Sequence, residues 1–297
     1  MNARAITVGV DGSETARQAV RWAAREASRR GAPLVLVHAF DTMHLRRSAG
    51  TEMWIDDVEK KLAAESTAVL DQARADAAEI DSSVAVEADC RWDRADPAVA
   101  LRAASRDALM VVLGWTGRGA LGTALGSVTL AVASHAECPV VVVRGSVSDE
   151  SRPVLVGVDG GPLSDIALAH AFDAASHHGD PLRALHVWTD ADTSRAHLGT
   201  MFASPWETMR EAEERALAER LAGWRERYPD VEVERVLERA DPRKALVEQS
   251  GTARLVVVAT RGRGGFAGLL LGSTGLALIQ HADAPVMLVG PEAAHPA

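Results

Sequence analysis

Landmarks in the first half of the chain return in the second half in the same order and at a nearly constant distance. That internal repeat constrains the architecture before any single element is assigned. Val8-Gly9-Val10-Asp11-Gly12 returns as Val156-Gly157-Val158-Asp159-Gly160, 148 residues on, and His38 returns as His186 at the same offset. Ala95-Asp96-Pro97 returns as Ala240-Asp241-Pro242 at 145, and Gly126-Ser127 as Gly272-Ser273 at 146. His135-Ala136 and Pro139-Val140 return as His281-Ala282 and Pro285-Val286 at 146. Offsets that drift by so little belong to small length changes in surface loops. The sequence therefore predicts one duplicated domain, 1–146 and 152–292, joined by a short polar linker. A chain of 297 residues gives each copy enough length to bury a core of its own.

Each copy alternates short apolar runs with amphipathic stretches. In the first copy, strands are expected at Ile6–Val10, Leu34–Ala39, Val84–Ala88, Leu109–Leu113 and Val140–Val143. Helices are expected at 13–30, 52–79, 97–105 and 127–135. The first helix carries Ala16, Ala19, Val20, Ala23 and Ala27 on one face. The second copy repeats the strands at Val154–Val158, Leu182–Val187, Val231–Leu237, Leu255–Ala259 and Val286–Val289. Fully apolar runs such as Leu34–Ala39 mark strands buried on both faces of a parallel sheet. The fold class is α/β: two tandem, doubly wound parallel sheets with right-handed crossovers. Ligands in such sheets bind beyond the carboxyl ends of the strands.

Composition narrows the function. The formal net charge of −9 disfavours sequence-independent nucleic-acid binding, which depends on neutralising phosphates. No apolar run approaches the ~20 residues of a membrane span, and the N-terminus enters a short apolar strand with no signal-peptide core. Two unrelated cysteines, Cys90 and Cys138, fit a reducing, cytoplasmic setting, with Cys138 as a small buried hydrophobe.

Three segments fall at the ligand edge. Asp11-Gly12-Ser13 follows strand 1; its carboxylate suits either an adenine amine or a helix N-cap. After strand 4 comes Gly114-Trp115-Thr116-Gly117-Arg118-Gly119, then Gly126-Ser127; the second copy has Ala259-Thr260-Arg261-Gly262-Arg263-Gly264-Gly265, then Gly272-Ser273-Thr274. Glycines turn backbone N–H groups towards a ligand, and Gly-Ser at a helix start offers free N–H groups and a positive dipole end. Arg118 and Arg263 add charge suited to phosphate. A plain glycine-rich connection would carry the same glycines. The loop has no Gly-Lys-Ser/Thr run, so it is not a Walker A loop, and a dinucleotide fingerprint would follow strand 1. The third segment is the end of strand 2, where the backbone at Val37 and Val187 could pair with a base edge, and Asp41 and Asp190 could touch a ribose or a metal. His38 and His186 read as satisfied core histidines, and Asp96 and Asp241, each before a proline, as N-caps.

These residues resemble the universal stress protein family in its tandem form, over about 5–145 and 153–290. The resemblance rests on Val-Gly-Val-Asp-Gly at both domain starts and on the spaced Gly-x2-Gly-…-Gly-Ser motif after strand 4. It implies a Rossmann-like, five-stranded sheet of order 3-2-1-4-5, like that of the adenine nucleotide alpha hydrolases. It implies ATP, with or without Mg²⁺, in each copy. Gly9, Asp11, Gly114, Gly117, Arg118, Gly126 and Ser127 would hold the first nucleotide. Gly157, Asp159, Asp190, Gly262, Arg263, Gly264, Gly272, Ser273 and Thr274 would hold the second. It also implies a homodimer, with the last strands, Val140–Val143 and Val286–Val289, as the pairing edge. Both copies depart from the family pattern. Eight residues instead of nine separate Gly117 from Gly126, Ala259 replaces the first loop glycine, and Gly161-Pro162 replaces the usual Ser after Asp-Gly. If position 259 required a positive φ, alanine would cost about 1 kcal/mol there. The expected function is a non-catalytic, ATP-binding regulatory protein of the stress response. A slow ATPase or adenylating enzyme of the same fold, and a nucleotide-free dimerisation module, are the alternatives.

Overall fold

The computed structural model describes residues 4–39, 55–91, 96–117, 125–144, 151–188, 205–262, 271–293 and 295–296. The chain divides into two compact units, Met1–Val143 and Arg144–Ala297.

The first unit runs β1 (Ile6–Gly9), α1 (Glu14–Arg30), β2 (Leu34–Ala39), α2 (Ile55–Ile80), β3 (Val86–Arg91), α3 (Pro97–Ala104), β4 (Met110–Gly114), α4 (Ser127–His135) and β5 (Val140–Val143). Its strands are all parallel, in the order β3-β2-β1-β4-β5. The second unit runs β6 (Val154–Val158), α5 (Pro162–His178), β7 (Leu182–Trp188), α6 (Pro205–Arg227), β8 (Val233–Arg239), α7 (Pro242–Ser250), β9 (Leu255–Ala259), α8 (Ser273–His281) and β10 (Val286–Val289). Its parallel order is β8-β7-β6-β9-β10. Both units therefore have the expected doubly wound sheet. In each, the chain leaves the first strand towards one side and returns on the other, so β1/β4 and β6/β9 are the switch points where such folds open a crevice. No described helix is long and apolar enough to cross a membrane.

Local chemistry explains the elements. Ser13 caps α1 by accepting the Ala16 N–H, and Gly31 closes it in the left-handed conformation. Ala16, Ala19, Val20, Ala23 and Ala27 are all buried against the sheet. The valine runs of β5 and the apolar run of β9 are buried as a parallel sheet requires. Asp96 and Asp241 cap α3 and α7, accepting the N–H of Ala98 at 2.8 Å and of Arg243 at 2.9 Å, with proline at the first helical position of each. Arg243 also grips the Asp241 carboxylate and holds it well below the usual carboxylate range.

Two strands differ from expectation in the same way. β3 and β8 begin and end a few residues later than the apolar pattern suggests. Val84 and Val231 belong to turns instead, their N–H groups donating to Asp81 and Tyr228. At the other end, β2 pairs along its whole length, with Leu34 opposite Val86 and Ala39 opposite Arg91, and β7 carries β8 out to Arg239 opposite Trp188. Pairing with a long neighbour extends these edge strands through charged residues that read locally as loop.

Candidate functional site

The end of β1 is shaped by its aspartate. Asp11 Oδ1 accepts the Ser13 N–H at 2.9 Å, and Gly12 between them takes φ +81°, a left-handed conformation that suits glycine. Asp159 repeats this by accepting the Gly161 N–H at 2.8 Å, with Gly160 at φ +74°. The N-cap of α1 is Ser13, so Asp11 serves the turn before the helix and not the cap itself. The other carboxylate oxygen lies over the glycine loop. A Cβ at Gly117 would stand 2.9 Å from Asp11 Oδ2, and one at Gly262 would stand 2.9 Å from Asp159 Oδ2. Both units thus bring the strand-end carboxylate against the second position of the Gly-x2-Gly pattern.

The loop leaves the sheet at Gly114, the last residue of β4. A Cβ there would fall 2.7 Å from the Thr15 carbonyl carbon, so the first turn of α1 sits directly on this residue. The loop returns at Gly126, whose N–H donates to the Trp115 carbonyl at 3.2 Å. In the second unit the Gly272 N–H donates to the Thr260 carbonyl at 2.6 Å. Gly126 and Gly272 are the N-caps of α4 and α8, and neither helix start receives a side-chain cap. The first-turn N–H groups, beside Ser127 in one unit and Ser273 and Thr274 in the other, are thus the donors that an anion at a helix N-terminus uses.

In the first unit these parts enclose a cavity of about 520 Å³. That lies within the 300–1,000 Å³ of ordinary small-molecule sites. Its lining includes Gly9, Asp11 and Val37 from the ends of β1 and β2, and Thr116, Gly117, Gly126 and Ser127 from the loop and the start of α4. Pro97, Leu101 and Leu113 supply an apolar wall. The lining thus combines the donor-bearing start of α4 with apolar side chains of α3 and β4.

The remaining candidates are spread around this frame. Val37 is buried, and its carbonyl already accepts the Val10 N–H at 2.9 Å. Val187 lies in β7 opposite Glu238. Gly157, like Gly9, is a close-packing position, where a Cβ would meet Leu246 and Val258 at 3.1 Å. Ala259 is the last residue of β9, paired in parallel register with Val289, so an extended strand position and not a positive φ is what this residue must satisfy. Thr260 is buried and Arg261 follows at the loop start. Asp41, Arg118, Gly119, Asp190, Arg263, Gly264 and Gly265 lie outside the described residues. His38 and His186 are core histidines, with Nδ1 2.7 Å from the Val10 carbonyl and 2.6 Å from the Val158 carbonyl. Sequence reasoning missed the apolar wall, because Pro97 already had a capping role and Leu101 reads as ordinary core. It also missed Thr15, which carries no local signal.

Comparison with known proteins gives this geometry a family. The sequence model of the universal stress protein family matches the chain twice, over residues 2–144 and 150–290. The chain belongs to the universal stress protein family. Its tandem form is shared along nearly the full length of its relatives. A universal stress protein of Mycolicibacterium smegmatis is 42% identical over 291 residues, covering 96% of this chain and 97% of its own. One of Mycobacterium tuberculosis is 40% identical over 298 residues, 95% of each chain. The crystal structure of a universal stress protein from Archaeoglobus fulgidus superposes with a TM-score of 0.72 at 20% identity, covering 98% of this chain and 99% of that one. That likeness is one of fold.

Proposed function

We propose that each unit of this universal stress protein binds one ATP and that the protein acts as a nucleotide-responsive regulator rather than an enzyme. The observation that carries this is the convergence, in one cavity, of a strand-end carboxylate, a glycine loop and an uncapped helix start. Adenine and ribose fit between Val37, Asp11 and the Pro97–Leu101 wall. The phosphates fit at Gly117, Gly126 and Ser127, where backbone N–H groups and the α4 dipole favour negative charge. In this reading the charges of Arg118 and Arg263 serve the phosphates, and Asp41 and Asp190 are the carboxylates assigned to the ribose or to a Mg²⁺ carried by the phosphates. In the second unit Asp159, Gly262, Gly272, Ser273 and Thr274 have the same backbone roles. The units correspond to domains 1–146 and 152–292, the setting is cytoplasmic, and the assembly is a homodimer, which sedimentation at twice the 31.5 kDa chain mass would support.

Mass spectrometry of the purified protein, under gentle and then denaturing conditions, tests the reading. Co-purifying ATP, with phosphate release no faster than in buffer, is the expected result. Sustained turnover would replace the regulator with a slow ATPase. No nucleotide, and no binding when Mg-ATP is added, would leave a dimerisation module.

A further inference from the structure

Two hydroxyls fasten the first glycine loop. Thr15, in the first turn of α1, donates its hydroxyl to the Thr116 carbonyl. Thr129, buried on α4, donates to the Gly114 carbonyl at 2.9 Å. The first loop is therefore tied from both flanking helices between residues 114 and 117. The equivalent positions in the second unit, 148 and 146 residues on, are Leu163 and Gly275. Neither carries a hydroxyl, so neither tie can form. Gly275 does not hold space for a side chain either, since a Cβ there would stand 3.1 Å from Leu271 Cδ1 and 3.2 Å from Leu288 Cδ2.

In the second unit a hydroxyl is placed on the strand-end carboxylate. Ser164 stands where the first unit has Ala16, a residue lining the cavity. Its hydroxyl donates to Asp159 Oδ1 at 2.5 Å and accepts the Asp159 N–H at 3.1 Å. The first unit ties its loop with two hydroxyls, and the second adds a hydroxyl tie to its strand-end aspartate.

A loop that must be ordered when a ligand binds takes its ordering cost out of the affinity, whereas a loop already fixed does not. We infer that Thr15 and Thr129 are positioning residues that make the first unit the tighter nucleotide site, leaving the second as the weaker and faster-exchanging one. The inference rests on the reading that both units take ATP. The two threonines act through the loop backbone, because their hydroxyls are committed to carbonyls of residues 114 and 116.

One-site proteins test it. Gly262→Val leaves only the first site and Gly117→Val only the second, because either side chain collides with the facing aspartate. Titrated with Mg-ATP, the first-site protein is expected to bind about tenfold more tightly, the scale of one or two such hydrogen bonds. Adding Thr15→Val and Thr129→Val to it should raise Kd about tenfold, with a matching rise in dissociation rate. Thr15→Ser and Thr129→Ser should restore both. The valine pair should leave the second-site protein unchanged. Equal affinities in the two one-site proteins, or a first site indifferent to the valines, would overturn the inference while the nucleotide reading stands. Binding at neither site would overturn both. Hydrogen exchange of the unsubstituted, ligand-free chain reads the same property without relying on the variants folding. Amides of Thr116 and Gly117 should be better protected than those of Arg261 and Gly262, and equal or reversed protection would contradict the assignment.

Discussion

Gly114 and Ala259 occupy equivalent strand ends and yet answer to different neighbours. Gly114 lies under the Thr15 backbone, with no room for a Cβ. Its glycine records a close approach rather than an unusual φ, a distinction sequence alone cannot make. Gly114→Ala should therefore destabilise the first unit by about 1–3 kcal/mol, the range for overpacking, although alanine is the natural residue at position 259. A shift in the urea midpoint of that size checks this, and an unshifted midpoint would mean that α1 can stand back from the strand. Cys138 gives a second prediction at this scale. Burial pushes its thiol up to about 12, whereas Cys90 is partly exposed. A thiol reagent at pH 8 should modify one cysteine in the native protein and two after unfolding. The buried role of Cys138 and the capping roles of Asp96 and Asp241 were legible in sequence because each depends on immediate neighbours. The ties from Thr15 and Thr129 were not, because their partners lie in another element, 101 and 15 residues away.

The helix that packs against the first helix of each unit does so by opposite chemistry. In the first unit α2 presents Asp76, whose side chain is fully buried, to α1. Arg17 binds it at 2.8 and 3.0 Å and Arg21 at 2.8 Å. Burial pushes the Asp76 carboxyl up, but the Arg17 hydrogen bond and the Arg21 and Arg17 charges outweigh burial and hold it below the usual carboxylate range. The matching turn of α6 carries Trp224, which stands where the first unit has Ala77, the residue after Asp76. It stacks on Phe172 with ring centroids 6.1 Å apart, and Tyr228 adds a third ring 5.7 Å from Phe172. Asp76→Asn should cost about 2–3 kcal/mol at pH 7, tempered by the part-exposed arginines. A carboxylate held low in the folded state adds stability above its unfolded value, near 4, and loses it as pH falls through the folded value. The difference between wild type and Asp76→Asn should therefore shrink below about pH 4, and a gap that persists there would sink the ion-pair account. Element boundaries followed the same divide between local and distant causes. The buried strands β5, β6, β9 and β10 ran as their apolar patterns indicated. The edge strands β3 and β8 were misplaced because pairing with β2 and β7, not their own composition, sets their ends.

At the scale of the whole molecule, duplication carried most of what the sequence revealed. A repeat at an offset of 145–148 residues announces two copies of one fold, and alternation of strands and helices announces a doubly wound sheet. Duplication also copies structural glycines, so the repeat by itself could not separate a ligand loop from a plain connection. The cavity between Asp11, Gly117 and Gly126 is what favours the ligand reading. The central claim is that each unit keeps one working nucleotide site. Equilibrium dialysis of the intact chain against saturating Mg-ATP tests it most directly. Two ATP bound per chain is the predicted result; one or none would contradict it.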